Sequence, residues 1–371
     1  MSKILTRIHW LHLLIAGACL LTLCNAQTHS TNTSRSISVI ASTVPDNGDV
    51  NPYGIFRVPV TEGRLIAGNL LISNFNNSAN LQGTGTTIVQ ISPGGNFSLF
   101  AQIDAGTLPG PCPGGVGLTT ALAVLKTGWV IVGSLPTTDG TSHTAQAGCL
   151  IVLDSNGNVV STIADSRING PWDMAVTDNT DTNSQAALFV TNVLNGTVAA
   201  NGNIVNQGTV IRVGLTAPSN ANPTVQGMTI IGSRFSERTD PGALVIGPTG
   251  LALSADQRTL FVADSLNNRI AAIQDPLTRT SSALVGTTIT QGGSLNDPLG
   301  MTLNSAGQIL TANGDDGFLV QTTPQGHQTA RFLLDSSGNP PGAGALFGLV
   351  YVNNEGLYYV DDASNTLNLL Q

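Results

Sequence analysis

Lysine is almost missing from this chain. Only Lys3 and Lys126 occur, and Lys and Arg together number 14 against 22 Asp and Glu in 371 residues. Nucleic-acid binding relies on clustered basic side chains to neutralise phosphates, so no nucleic-acid partner is expected. The formal charge of −8 favours solubility and opposes anionic membrane surfaces. Histidine is scarce as well. Beyond residue 26 only His29, His143 and His327 remain, too few and too scattered for a three-histidine zinc site. Glutamate is limited to Glu62, Glu237 and Glu355, and no G-x-S-x-G elbow or Cys-His pair with an evident base occurs. Charged residues make up only 10% of the chain, whereas hydrophobic residues make up 41% and glycines number 42. That balance fits a packed domain with many tight turns.

The N-terminal stretch reads as a signal peptide over residues 1–26. Lys3 and Arg7 supply a positive end, "IAGACLLTL" an apolar centre, and Ala26 a small residue at the cleavage point. The apolar run is short for a membrane span, so no transmembrane segment is expected after its removal. Residues 27–36 read as a flexible tail and 37–371 as one domain. The mature chain keeps Cys112 and Cys149, which can pair as a disulfide in an oxidising compartment. A secreted or periplasmic monomer is the expectation.

A repeat runs through residues 37–371. Six apolar phrases centre on Gly or Asp: "PYGIF" on Gly54, "GVGLT" on Gly117, "PWDMA" on Asp173, "PTGLA" on Gly250, "PLGMT" on Gly300 and "LFGLV" on Gly348. After each phrase come a turn, a β-rich run such as "LFVA" or "LYYV", a polar loop and a third apolar run. β-branched runs bounded by Gly, Asn, Asp and Pro mark strands and hairpins. The unit is therefore a four-stranded antiparallel meander, and six such sheets bury their faces by stacking around an axis as an all-β, six-bladed β-propeller. The sixth unit has three strands, and "ISVIAST" (37–43) supplies the spare one, so the N-terminal strand is expected to close the last blade. A seventh blade within 173–250 is the competing count.

The stretch "GPTGLALSADQRTLFVADSLNNRIAAI" (247–273) resembles the NHL repeat, with its strand, Ala-Asp, Asn-Asn-Arg-Ile and strand. The likeness is good in blade four, looser in blades five and six, and in blades one to three confined mainly to the phrase and strand order. It implies a propeller related to gluconolactonase-like hydrolases, strictosidine synthase-like proteins, streptogramin lyases, peptidyl-amidoglycolate lyases and many binding modules. The paucity of His departs from the amidoglycolate lyase pattern. No Glu at a blade entrance matches the gluconolactonase-like metal set of an early Glu with later Asn and Asp.

The polar position after the second strand recurs as Asn74, Ser134, Asn192, Asp264, Asn313 and Asp361. A repeated position points to a repeated task, and these side chains close turns onto backbone N–H groups. Departures from the repeat carry more functional information. Asp173 stands where Gly is usual and follows Trp172, and "NGDDG" adds Asp315 and Asp316. The second-to-third loops are long in blades one to three, and that of blade two holds His143. The expected function is a binding or scaffold module. Its ligand, a small molecule, carbohydrate, peptide or protein, would meet Trp172, Asp173, Asn192, Asp315, Asp316 and His143 on the face bearing those loops. The alternative is a metal-dependent hydrolase or lyase with calcium held by Asp173, Asp264 and Asp361 near the axis.

Overall fold

A computed structural model describes residues 35–371. The targeting segment 1–26 and most of the tail lie outside the described residues. Strand β1 (Ile37–Ser42) comes first. Blade one is β2 (Val50–Arg57), β3 (Leu70–Asn76), β4 (Thr87–Ile91) and β5 (Phe97–Gln102). Blade two is β6 (Leu118–Val124), β7 (Val130–Ser134), β8 (Cys149–Leu153) and β9 (Val159–Ile163). Blade three is β10 (Pro171–Asn179), β11 (Gln185–Asn192), β12 (Val205–Thr216), β13 (Thr224–Asp240) and the short β14 (Leu244–Ile246). Blade four runs β15 (Pro248–Leu253), β16 (Thr259–Asp264), β17 (Arg269–Gln274) and β18 (Thr287–Gln291). Blade five runs β19 (Pro298–Leu303), β20 (Ile309–Asn313), β21 (Phe318–Thr322) and β22 (Gln328–Leu333). Blade six is β23 (Leu346–Val352), β24 (Gly356–Asp361) and β25 (Thr366–Leu370), completed by β1. All pairings within the sheets are antiparallel, and the innermost strands β2, β6, β10, β15, β19 and β23 touch in sequence round the ring.

The expected architecture is therefore present, with six blades. The stretch 173–250 holds a single sheet, enlarged by the long β12–β13 hairpin and by β14, and contains no seventh blade. The seam is the one expected: Ile37 pairs with Leu370 and Ser42 with Thr366. Apolar strands buried on both faces, such as "LLIS" and "CLIVL", explain why each sheet must be covered on either side.

The register gives the repeat its physical meaning. Pro52 pairs with Asn74, Leu118 with Ser134, Pro171 with Asn192, Pro248 with Asp264, Pro298 with Asn313 and Leu346 with Asp361. Two residues along each inner strand lie Gly54, Thr120, Asp173, Gly250, Gly300 and Gly348. At this waist of the axis the inner strands crowd one another. A Cβ on Gly250 would overlap the Leu299 carbonyl oxygen, one on Gly300 that of Phe347, and one on Gly348 that of Tyr53. Glycine is used there because the next backbone leaves no room.

The expectation that Gly117 is the equivalent in blade two is corrected. Blade two has one more residue than the other blades between its pairs Leu118–Ser134 and Leu122–Val132, so Thr120 and Ala121 share that level, and Gly117 is instead required by the loop above it, where a Cβ would overlap the Gly83 carbonyl oxygen. Hydroxyl groups link neighbouring blades near the waist. Ser73 Oγ accepts from Gly54 N–H at 3.0 Å and donates to Thr119 O at 2.7 Å. Thr191 Oγ1 accepts from Asp173 N–H at 3.0 Å and donates to Thr249 O at 2.8 Å.

Candidate functional site

The blade-to-blade loops and the second-to-third loops open on one face, and a basin of about 350 Å³ lies there over the axis. Its floor is aromatic. In blades one, three, five and six the second residue of the inner-strand phrase lines it, and in three of these that residue is aromatic: Tyr53, Trp172 and Phe347. Tyr53 stacks between Phe347, at 3.8 Å between ring centroids, and Phe75, at 4.4 Å. Trp172 lies tilted, 6.4 Å from both Tyr53 and Phe347. The strap formed by the end of β13 and by β14 borders the basin with Arg238, Asp240, Ala243 and Val245. Gln82, from the long loop of blade one, donates through Nε2 to Gly242 O at 2.8 Å and clasps the strap from the other side.

The wall is acidic. Asp297 precedes β19, Asp315 follows β20, Asp362 follows β24, and Asp240 ends β13. Asp240 is paired with Arg238 at 2.6 Å. Burial pushes the Asp297 carboxyl up to about 7, with Asp315 and Asp240 adding to the shift and Arg238 opposing it. Burial raises Asp315 too, helped by Asp240 and Asp316. Asp362 is pushed up to about 7 by burial and then by Asp361. Burial first, and the Asp362 charge second, hold the Tyr53 phenol well above its ordinary range. Asn51 is 4% exposed and lines the basin with its Oδ1 lacking a hydrogen-bond partner, while its backbone N–H is fixed by Asn365 Oδ1 at 2.7 Å.

The residues singled out in the sequence fall in several places. Trp172 and Asp315 line the basin. Asp316 closes its hairpin, accepting from Asn313 Nδ2 at 2.9 Å and Phe318 N–H at 3.2 Å. Asn192 is fully buried and lines neither of the larger cavities. His143 is exposed in the 3-10 turn Ser142–Thr144 of the blade-two loop, also away from the basin lining. Asp264 is fully buried and locked to Arg269, whose Nε and Nη2 lie 2.9 and 2.7 Å from Oδ2. Asp361 accepts from Ser364 N–H at 3.1 Å.

Asp173 turns to the other side of the waist, where its oxygens accept from Met174 and Leu251 N–H groups, both at 2.8 Å. The expected convergence of Asp173, Asp264 and Asp361 is corrected on these grounds: each is engaged by its own surroundings. Among the described residues no three His, Cys, Asp or Glu side chains are gathered to hold a metal ion. The basin opens on the face that bears the long loops of blades one to three; blades one and three supply Tyr53, Gln82, Trp172 and the strap, and blades five and six most of the acidic wall.

Sequence reasoning missed Tyr53, Phe347, Asp240, Arg238 and Asp297. The signal for the first two was the second position of each phrase, aromatic in three of six. For Asp297 it was its place directly before Pro298. The disulfide is present as expected, joining Cys112 ahead of β6 to Cys149 at the start of β8, with Cα atoms 5.1 Å apart. No helix among the described residues is long and apolar enough to cross a membrane.

A family model described as SMP-30/Gluconolactonase/LRE-like region matches residues 131–340, more than half of the chain. No curated protein matches in sequence. The structure is similar to a gluconolactonase from Xanthomonas campestris, with a TM-score of 0.54, 13% identity, and 91% of this chain and 89% of that one covered. It is similar to a luciferin-regenerating enzyme, with a TM-score of 0.53, 11% identity and coverage of 91% and 95%. It is similar also to regucalcin from Agrobacterium tumefaciens, described as a calcium-binding protein, with a TM-score of 0.51, 12% identity and coverage of 90% and 95%. At these identities the likeness is one of fold.

Proposed function

The chain belongs to the SMP-30/gluconolactonase/LRE-like family, and from that premise we propose that its axial basin binds a small polyhydroxylated, sugar-derived ligand. The observation that carries this reading is the juxtaposition of an aromatic floor, Tyr53, Trp172 and Phe347, with the carboxyls of Asp297, Asp315 and Asp362. Sugar rings present C–H faces that pack on aromatic rings, and hydroxyls that donate to carboxylates. A volume of about 350 Å³ suits a ligand of one or two rings. Export fits the same reading, because a disulfide persists in an oxidising compartment. The NHL-like pattern of blade four belongs to the fold and adds nothing to the ligand.

A hydrolytic role is the second reading, favoured by one observation. Asp297 and Asp362, each pushed up to about 7, are partly protonated near neutrality and suited to give or take a proton. The related gluconolactonase points to a lactone as the first substrate to try. The calcium named for regucalcin is not used in either reading. Among the described residues no three carboxylates gather into a cage, and Asp240 is already tied to Arg238.

The test is calorimetric titration with a panel of aldoses, sugar acids and sugar lactones, alongside pH-stat measurement of lactone opening. Trp172→Ala is expected to weaken binding about tenfold or more by removing the stacking face. Asp297→Asn is expected to lower turnover if the site is hydrolytic. Failure of every hydroxylated compound to bind at millimolar concentration would sink the proposal.

A further inference from the structure

The charges of the axial basin do not balance. Its lining carries four carboxyls, Asp240, Asp297, Asp315 and Asp362, and one guanidinium, Arg238. Asp240 and Arg238 are spent on each other and on the strap. Asp240 Oδ2 lies 2.6 Å from Arg238 Nη1, and Asp240 Oδ1 accepts from the Gly242 and Ala243 N–H groups at 2.7 and 3.0 Å. The other three carboxyls accept from no hydrogen-bond donor among the described residues, and Arg238 acts on Asp297 and Asp315 only through its field. Elsewhere Asp154, Asp256 and Asp335 accept from donors within their own turns. Asp297 and Asp362 are partly buried, but none of their carboxyl oxygens is sealed from solvent. Asp297 Oδ2 lies against Gly314, itself part of the lining, so that close to it there is no room for a Cβ.

We propose that the ligand of the basin carries a positively charged amino group, which makes its class the amino sugars and excludes neutral sugars and sugar acids as the preferred occupants. The inference rests on the sugar-derived reading above and narrows it. A neutral sugar supplies donors to the three free carboxyls and leaves their negative charge in place. An ammonium group supplies three donors and a compensating charge together. The floor works in the same sense, because the face of an aromatic ring such as Trp172 attracts a cation. A metal ion answers the charge less well, since among the described residues no three carboxyls gather about one point. An amine borne on a sugar ring needs only one or two of them, and the ring hydroxyls reach the others.

Protonation gives the inference a signature. Burial, and after it the neighbouring acids, push the Asp297 and Asp362 carboxyls up to about 7. A docked cation favours their ionised forms, so amine binding near neutrality expels protons that binding of a neutral sugar does not. A sugar acid meets the reverse, because its own carboxylate is repelled by the wall.

The experiment is calorimetric titration of the purified protein with glucosamine, galactosamine, glucose, N-acetylglucosamine and gluconate, at pH 7 and low ionic strength, in two buffers of different ionisation enthalpy. Glucosamine or galactosamine is expected to bind about tenfold or more tighter than glucose or N-acetylglucosamine, and gluconate more weakly than any of them. The heat of amine binding should differ between the buffers by the amount that proton release requires, whereas that of glucose should not. Asp297→Asn and Asp362→Asn remove no hydrogen bond within the protein, so both should fold, and each should shrink the preference for the amine over glucose. Glucose binding as tightly as glucosamine would overturn this inference and leave the sugar-derived reading standing. Failure of every compound to bind would overturn both. An amine preference undiminished in both variants, or displacement of bound glucosamine by micromolar calcium, would overturn the inference as well.

Discussion

Blades three and four are neighbours built on the same plan, and they have gone opposite ways. In blade four every repeated position does its local task. Gly250 admits the next strand, Asp264 closes the turn onto Arg269 and Asn267, and the second-to-third connection is a 3-10 turn of three residues, Ser265–Asn267. In blade three the same register positions are Asp173 and Asn192, the connection runs through the short helix Thr197–Ala200, and β13 and β14 reach over the axis. The polar accounting differs accordingly. Blade three leaves Asn192 Oδ1 and Nδ2, Thr197 Oγ1 and Glu237 Oε2 without partners. Burial pushes the Glu237 carboxyl up to about 9, against the Asn195 N–H that it accepts. The regular register of blade four satisfies its turn side chains within the blade, whereas blade three departs from it and leaves buried polar atoms unpartnered.

The contrast breaks most sharply at the Asp264–Arg269 pair. Arg269→Ala leaves a fully buried carboxylate without its counter-charge and is expected to cost about 3–5 kcal/mol in urea unfolding. Asn192→Ala, at the equivalent place in blade three, removes no hydrogen bond of its side chain and should cost far less. Next comes the disulfide, which pins the loop of blade two across a separation of 37 residues. Cys112→Ser with Cys149→Ser should lower stability by about 3–4 kcal/mol, read as a fall in Tm that wild type reproduces under reductant.

A smaller effect tests the waist. Gly300→Ala forces a methyl against the Phe347 carbonyl and should cost about 1–3 kcal/mol. Thr120 shows that a side chain is tolerated at this level of the axis in blade two. The smallest effect is electrostatic. Asp173, Asp297 and Asp362 have folded values near 7 against about 3.9 in the unfolded chain. The folded state therefore binds more protons, and the stability these groups lend is full below about pH 4 and lost as pH rises through 7. The Tm of Asp297→Asn should gain on wild type between pH 4 and pH 8, and a constant difference would contradict the assigned shift.

The fold was legible because its signal is written six times. Strand runs, turn residues and the spare strand at 37–43 all answered to one plan, and the two cysteines fell at the same end of one blade. The site was legible only where it interrupts that plan, as at Trp172 and Asp315. Asp240 and Arg238 were hidden because the strap that carries them is an addition with no counterpart in other blades. Asp297 sits in a connection whose position over the axis depends on ring closure. Gly117 misled for a physical reason: a glycine reports local crowding of backbone, and that crowding occurs in the loop of blade two as well as at the waist.

The seam between Ile37–Ser42 and Thr366–Leu370 separates the order of synthesis from the order of assembly. A ribosome completes the strands of blades one to five while β1 still has no partner, and blade six cannot form until residue 370 has emerged. The exposed Val39 edge therefore stays unpaired throughout translation. Until then its unpaired backbone groups are a template that a strand of another copy fits as well as the chain's own last blade does.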